Sequence, residues 1–432
     1  MKSSLTFIDG GVTAPKGFTA NGILCHIKPD RKTNDTALIF SEKPCAAAGV
    51  FTQNRVQAES VKLTKKHIAD GRIQAIIANS GNANCCTGTQ GAESASRMAE
   101  AAAKSLGISA DDVIVCSTGV IGQQLPVEKI EQNIEALKSG LSKEGHKEAR
   151  TAIMTTDTNY KECAVETTIG GKTVRIGSMC KGSGMIHINL GTMLSFITTD
   201  CAISAGMLQK ALRTTIEGTY NCVSVDGDTS TNDTLTILAN GMAENEEITA
   251  DGEDFQAFLA ALNTLNTVMA MKIAADGEGA SRLIECTVTG AKDVPTARGL
   301  AKEIIRSNLV KAALFGKDAN CGRILCAMGY SGYDFTPEKT SVFFSSRKNA
   351  KRFFDLSDDG SIQIEAGENC GERIEVIHDG IGLSFDEEKA SRILSEEAVE
   401  IEVVLRDGTA EGKAWGCDLT YDYVKINGDY RS

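Results

Sequence analysis

Histidine, tryptophan and proline are scarce in this chain: five, one and six residues in 432. The histidines (His26, His67, His146, His187, His378) do not fall at metal-ligand spacings beside cysteines, and no C-x-x-C occurs among 14 cysteines, which argues against a zinc site. No apolar run reaches the ~20 residues of a membrane span, and the N-terminal "MKSSLTFIDG" lacks a secretory h-region. The expectation is a cytoplasmic chain whose thiols are mostly free. Dense basic clusters are also missing except "RKNAKR" at 347–352, and the net charge is −12, which argues against nucleic acid. There is no P-loop and no G-x-S-x-G elbow, while "GSGMIH" lacks the third glycine of a dinucleotide fingerprint. A lone S-x-x-K, Ser345 and Lys348, lies beside the basic run without its companion motifs.

What is present is glycine, 42 residues of it, punctuating an alternation of apolar runs and amphipathic stretches. That alternation predicts mixed α/β structure. "IQAIIANS" (Ile73 to Ser80) and "DVIVCST" (Asp112 to Thr118) read as buried strands, with a helix between them that stops at Gly107. Pro126 opens the next helix, with Val127, Ile130, Ile134, Leu137 and Leu141 as its apolar stripe. Later helices are expected near Met207 to Thr219, along Phe255, Phe258, Leu259, Leu262 and Leu265, and from Pro295 through "AKEIIRSNLVKAALFG". The last third reads as hairpin-like strands in "TSVFFSS", "SIQIEAG", "RIEVIHDG" and "EIEVVLRDG".

Between these elements lie short segments rich in Gly, Ser, Thr and Asn: "NSGNANCCTG", "CSTGVIG", "MTTDTNYK", "KGSGMIHINLGT", "DGDTSTNDT" and "DGEGASR". Together they suggest a site of backbone amides, hydroxyls and a few charges, suited to holding an oxyanion and a small polar substrate. Hydroxyl chemistry needs a base, and no histidine is an obvious one. An N-terminal threonine supplies its own, since a free α-amine has a pKa of about 7.7–8.0. The glycine-rich zone ending at Gly191-Thr192 is where such a residue would arise, by cleavage of the bond between them; a threonine opening an ordinary strand is the alternative.

These segments, in this order, resemble the ornithine acetyltransferase family of arginine biosynthesis, also called glutamate N-acetyltransferase or ArgJ. The resemblance runs from "APKGF" at Ala14 to the C-terminal "YDYVKINGDYRS" and rests on "NSGNAN", "STGVIG", "MTTDT", "KGSGMI", "TML", "FITTD", "VDGDTSTNDT", "DGEGA" and "DYVKIN". It implies a layered α/β sandwich of the self-processed, N-terminal-nucleophile type shared with DmpA-like aminopeptidases. An α chain of residues 1–191 and a β chain of 192–432 would follow from cleavage, with a smaller C-terminal α/β region from about residue 290. It further implies Thr192 as nucleophile, Thr118 and Gly119 as oxyanion hole, and substrate contacts at Thr155, Lys181, Thr192, Glu278, Asn427 and Ser432. The implied reaction moves acetyl from N2-acetylornithine to glutamate through an acetyl-threonine. Acetyl-CoA is a second donor in many members, and no metal or bound cofactor takes part. The implied assembly is a heterotetramer of two α and two β chains. An aminopeptidase or amidohydrolase of the same fold, or an unprocessed binding protein, are the competing readings. The chain departs from the usual family pattern at Ile188, Gly191 and Cys321, the last implying altered packing beneath the site.

Overall fold

The computed structural model describes residues 5–187, 193–346 and 372–428. Ile188, Gly191, Thr192, Lys348 with the basic run 347–352, the strand expected in "SIQIEAG" and Ser432 lie outside the described residues.

One mixed sheet organises the fold. Its strands run in the order Thr6–Ile8, Lys161–Ile169, Lys172–Lys181, Leu194–Thr199, Thr234–Ala239, Thr36–Phe51, Arg72–Asn82 and Val113–Val120, with Phe18–Ile23 pairing beside the first part of Thr36–Phe51. The 16-residue strand Thr36–Phe51 links the two parts of this order. Its first residues pair with Arg72–Asn82 and its last with Thr234–Ala239, and the register shifts between Phe40 and Cys45 around Pro44. Proline removes a ladder hydrogen bond, so an irregularity there is where a strand can turn.

The period-2 alternation of side chains then shows that the sheet folds on itself. Ile76, Ala78, Ile114 and Cys116 from one half share a core with Met179, Leu194, Phe196 and Leu238 from the other. The opposite faces take different partners. Ile77, Val113 and Val115 pack with Met98, Ala102, Ile130 and Leu137 of the helices Gly88–Leu106 and Val127–Ser139. Val165, Ile176, Ile197 and Ile237 pack with Leu208, Leu212, Phe258 and Leu262 of the helices Ala205–Ile216 and Glu253–Ala275. The result is helix, half-sheet, half-sheet, helix, the layered sandwich that the family resemblance implies.

A second sheet, in the order Ile381–Gly382, Arg373–His378, Ser341–Ser346, Ala398–Val404, Leu283–Ala291 and Ala410–Cys417, joins the same core through the helix Glu253–Ala275. That helix is long and apolar enough to cross a membrane by length and composition. It packs instead against strands of both sheets, and from Val268 to Ala275 nearly every residue is buried, so its all-round apolarity reflects a central position. Two helix expectations shift. Leu141 lies past the end of Val127–Ser139. The run from Pro295 is two helices, Val294–Arg306 and Asn308–Phe315, because Ser307 leaves helical geometry and its hydroxyl accepts from Val310 N to cap the second.

Candidate functional site

Six residues singled out in the sequence, from five separate segments, line one cavity of about 330 Å³: Thr118, Gly119, Thr155, Lys181, Glu278 and Asn427. That volume is at the small end of small-molecule sites. The cavity opens where strand ends from both halves of the sandwich meet. Thr118 and Gly119 close Val113–Val120, and Lys181 closes Lys172–Lys181. Met193 enters Leu194–Thr199, and with Thr118, Lys181 and Asp233 it lines a small adjoining cleft.

Gly119 has φ +134°, and a Cβ there would collide with the backbone of Gly81 and Asn82 on the neighbouring strand. Only glycine fits, and its amide is free of side-chain crowding. Thr118 lines the cavity beside it. The turn that follows is braced from behind: Asn82 Nδ2 donates to the carbonyls of Gln123 and Gln124, both at 3.1 Å. Asn232 ties the two halves together, its Nδ2 donating to Ala83 O (2.5 Å) and Ser117 O (2.7 Å).

The cavity lining carries charge of both signs. Lys181, 8% exposed, forms no ion pair among the described residues and stands ready for an anion. Glu278, which lines the same cavity, is 6% exposed and accepts from Asn427 Nδ2 at 2.7 Å. Gly184 lies so close beneath the Glu278 carboxylate that a Cβ would displace it. Asn427 sits on the exposed C-terminal helix Tyr421–Gly428, which is anchored by Thr420 Oγ1 donating to Gly279 O (2.7 Å) and by an edge contact of Tyr421 on Phe315.

A buried ionic cluster supports these loops. Lys161 Nζ lies 2.6 Å from both Asp157 Oδ1 and Asp276 Oδ2, all three fully buried. Burial opposes ionisation of Asp157, but Lys161 and Lys181 outweigh it and hold the carboxyl below its usual range. Burial likewise works against the Lys161 charge, and the two carboxylates more than restore it. Asp157 also accepts from the amides of Thr155 and Gly182, while Asp276 accepts from Thr158 N and Asn159 N. One triad therefore fixes the loop carrying Thr155, the turn after Lys181, and the segment leading to Glu278. Asp226 holds the far side of that turn through Met185 N (2.6 Å) and Ile186 N (2.9 Å).

Histidine takes no visible part. His187 is bonded to Ser224 Oγ (3.1 Å), and burial, with Lys302 and Arg306 nearby, pushes its pKa down to about 4. Asp233 is buried with one carboxylate oxygen unpartnered, and burial raises its pKa well above the usual value. Cys321 heads the helix Cys321–Gly329, packs half-buried on the large core and does not itself line the cavity. Sequence reasoning had not singled out Ser230, Thr231, Asn232 or Met185, which also line the cavity. The first three lie within "DGDTSTNDT", whose polarity just before an apolar strand was the available signal.

A 46% identical relative, the arginine biosynthesis bifunctional protein ArgJ of Caldanaerobacter subterraneus subsp. tengcongensis, aligns over 99% of this chain and 100% of its own. ArgJ 1 of Clostridium acetobutylicum is 48% identical over 96% of each chain. A solved chain of the Bacillus halodurans arginine biosynthesis bifunctional protein is 41% identical, covering 45% of this chain and all of its own, with a TM-score of 0.42. The ArgJ family model itself matches residues 19–432. With its cavity residues drawn from segments all along that span, the chain belongs to the ArgJ family.

Proposed function

We propose that this member of the ArgJ family, an acetyltransferase of arginine biosynthesis, acts through Thr192 freed by cleavage of the Gly191–Thr192 bond. The observation carrying this reading is that Met193, the next residue in the chain, lines a cleft with Thr118 and Lys181 beside the cavity that holds Gly119 and Glu278. With the His187 pKa pushed down to about 4, its ring is a weak proton acceptor and is bonded to Ser224, so a base within the nucleophile itself is the economical arrangement.

In this mechanism Thr192 Oγ attacks the acetyl carbonyl of N2-acetylornithine and its α-amine takes the hydroxyl proton. The Thr118 hydroxyl and Gly119 amide receive the developing oxyanion; one such preorganised donor is worth about 3–4 kcal/mol in the barrier. The α-amine returns the proton to the leaving nitrogen and ornithine departs. Glutamate then enters and its amine attacks the acetyl-threonine ester, giving N-acetylglutamate and the free enzyme. Lys181 neutralises the α-carboxylate common to both substrates, and Glu278, oriented by Asn427, receives the cationic amine of ornithine. Thr155 contributes a hydroxyl to the cavity lining, and Ser432, outside the described residues, is the remaining substrate contact that the family resemblance implies. Acetyl-CoA serves as a second donor, no metal or bound cofactor is required, and the cytoplasmic assembly is two α and two β chains.

Intact-mass measurement tests this reading. Two fragments, the second beginning at Thr192 and gaining one acetyl group on incubation with N2-acetylornithine, are expected; Thr192→Ala should stay whole and unlabelled. Full exchange activity from an uncleaved chain would overturn the mechanism, and free acetate in place of N-acetylglutamate would point to a hydrolase.

A further inference from the structure

Cys85 and Cys86 follow the strand Arg72–Asn82, and their sulfurs lie 3.9 Å apart. Cys85 is buried and Cys86 exposed, and left-handed backbone at Asn84 (φ 47°) and Cys86 (φ 59°) brackets the pair. A direct disulfide requires about 2.05 Å between sulfurs, far shorter than this spacing. A single atom bound to both fits better. A pyramidal three-coordinate centre, with bonds of about 2.3 Å and angles of about 90–100°, holds its two sulfurs about 3.3–3.5 Å apart, so bridging closes the 3.9 Å gap by only about half an ångström. Among the described residues no third histidine, cysteine or carboxylate joins the two thiols. The bridging atom must therefore bring its remaining substituent with it.

We propose that Cys85 and Cys86 form a vicinal-dithiol site for a three-coordinate thiophilic centre, a trivalent organoarsenical being the matching chemistry, and that occupancy of this site restrains acetyl transfer. The coupling runs through the cavity wall. Cys85 O accepts from Gly122 N (2.9 Å), and Gln124 Nε2 donates to Thr87 O (3.0 Å), so this loop backs the turn that follows Gly119. Ala83 O accepts from Asn232, and the Cys85 thiol lies against the hydroxyl of Thr231; both residues line the cavity. In the capture step two S–H bonds and two As–OH bonds give two S–As bonds and two waters, and arsenic stays trivalent. Drawing both sulfurs to one atom shifts the loop, and small displacements of an oxyanion site are costly.

Full-length wild type and Cys86→Ser are titrated with phenylarsine oxide, reading intact mass and acetyl-transfer rate. The expected result is one equivalent mapped to the peptide holding Cys85 and Cys86, with the rate falling roughly tenfold or more. A dithiol should restore the rate where an equal thiol concentration of a monothiol does not. Cys86→Ser should keep wild-type activity and resist the reagent. An adduct elsewhere, reversal by monothiol, equal inhibition of Cys86→Ser, or capture at the pair with an unchanged rate each overturns the proposal. The mass readout holds whatever reaction the cavity performs.

Discussion

Replacing Glu278 by glutamine should separate the two half-reactions. The side chain is nearly fully buried, with its carboxylate fixed by Asn427 Nδ2 at 2.7 Å. Glutamine matches its shape and keeps an acceptor oxygen for that bond, so what is removed is the charge. A hydrogen bond to a charged partner is worth about 1.5–3 kcal/mol, which corresponds to roughly 10–150-fold. Ornithine's side chain ends in a cation and gains this energy, whereas glutamate's ends in an anion and gains nothing from a facing carboxylate. In a ping-pong scheme, kcat/KM for each substrate reports its own half-reaction. Glu278→Gln should therefore lower kcat/KM for N2-acetylornithine by at least tenfold and leave that for glutamate unchanged or higher. Lys181→Met, acting on the shared α-carboxylate, should lower both. Initial rates over a matrix of both substrate concentrations read this directly, and an equal fall for both substrates in Glu278→Gln would refute the charge assignment.

Lys161→Met leaves Asp157 and Asp276 buried without their cation, and denaturant unfolding should show a loss of about 3–5 kcal/mol; a loss under about 1 would mean that the triad is not structural. Gly119→Ala forces a Cβ against the Gly81–Asn82 backbone at φ +134°, a cost of about 2–4 kcal/mol that should appear as a lowered Tm together with lost transfer. His187 carries a pH signature. Its folded pKa of about 4 lies below the unfolded value, so as pH falls below about 6.5 the unfolded chain binds a proton that the folded one refuses. Stability should fall across that window by about 2 kcal/mol, discounted for partial exposure, and level off below pH 4. His187→Gln should flatten that part of the profile, and a slope identical to wild type would exclude His187 as its source.

Elements with a clean local pattern were legible. "IQAIIANS" lies within the strand Arg72–Asn82, "DVIVCST" falls in Val113–Val120 except for Asp112, and Pro126 directly precedes its helix. The strand Thr36–Phe51 was not read, because Pro44 and an alanine run disguise a strand that turns partway. Folding of the sheet onto itself depends on pairings between distant segments, which periodicity does not encode. The polar loops that line the cavity were visible as loops. Their convergence was not, since Asp157 and Asp276 meet at Lys161 across more than a hundred residues of sequence. Lys181 and Glu278 stood out only through family resemblance, because a lone lysine or glutamate in a loop carries no pattern of its own.

The strand order has a mechanical consequence. Leu194–Thr199 is laddered over six residues to Lys172–Lys181, and Thr234–Ala239 over six to Thr36–Phe51, so polypeptide from beyond residue 192 is wedged between strands that precede it. Opening the backbone ahead of residue 192 would release a terminus without releasing a fragment, because separation would require unzipping both flanks of the wedge at once. Scission before folding would leave each fragment with a gap in its sheet. If the chain is cut there, it must first be assembled as one polypeptide and divided afterwards.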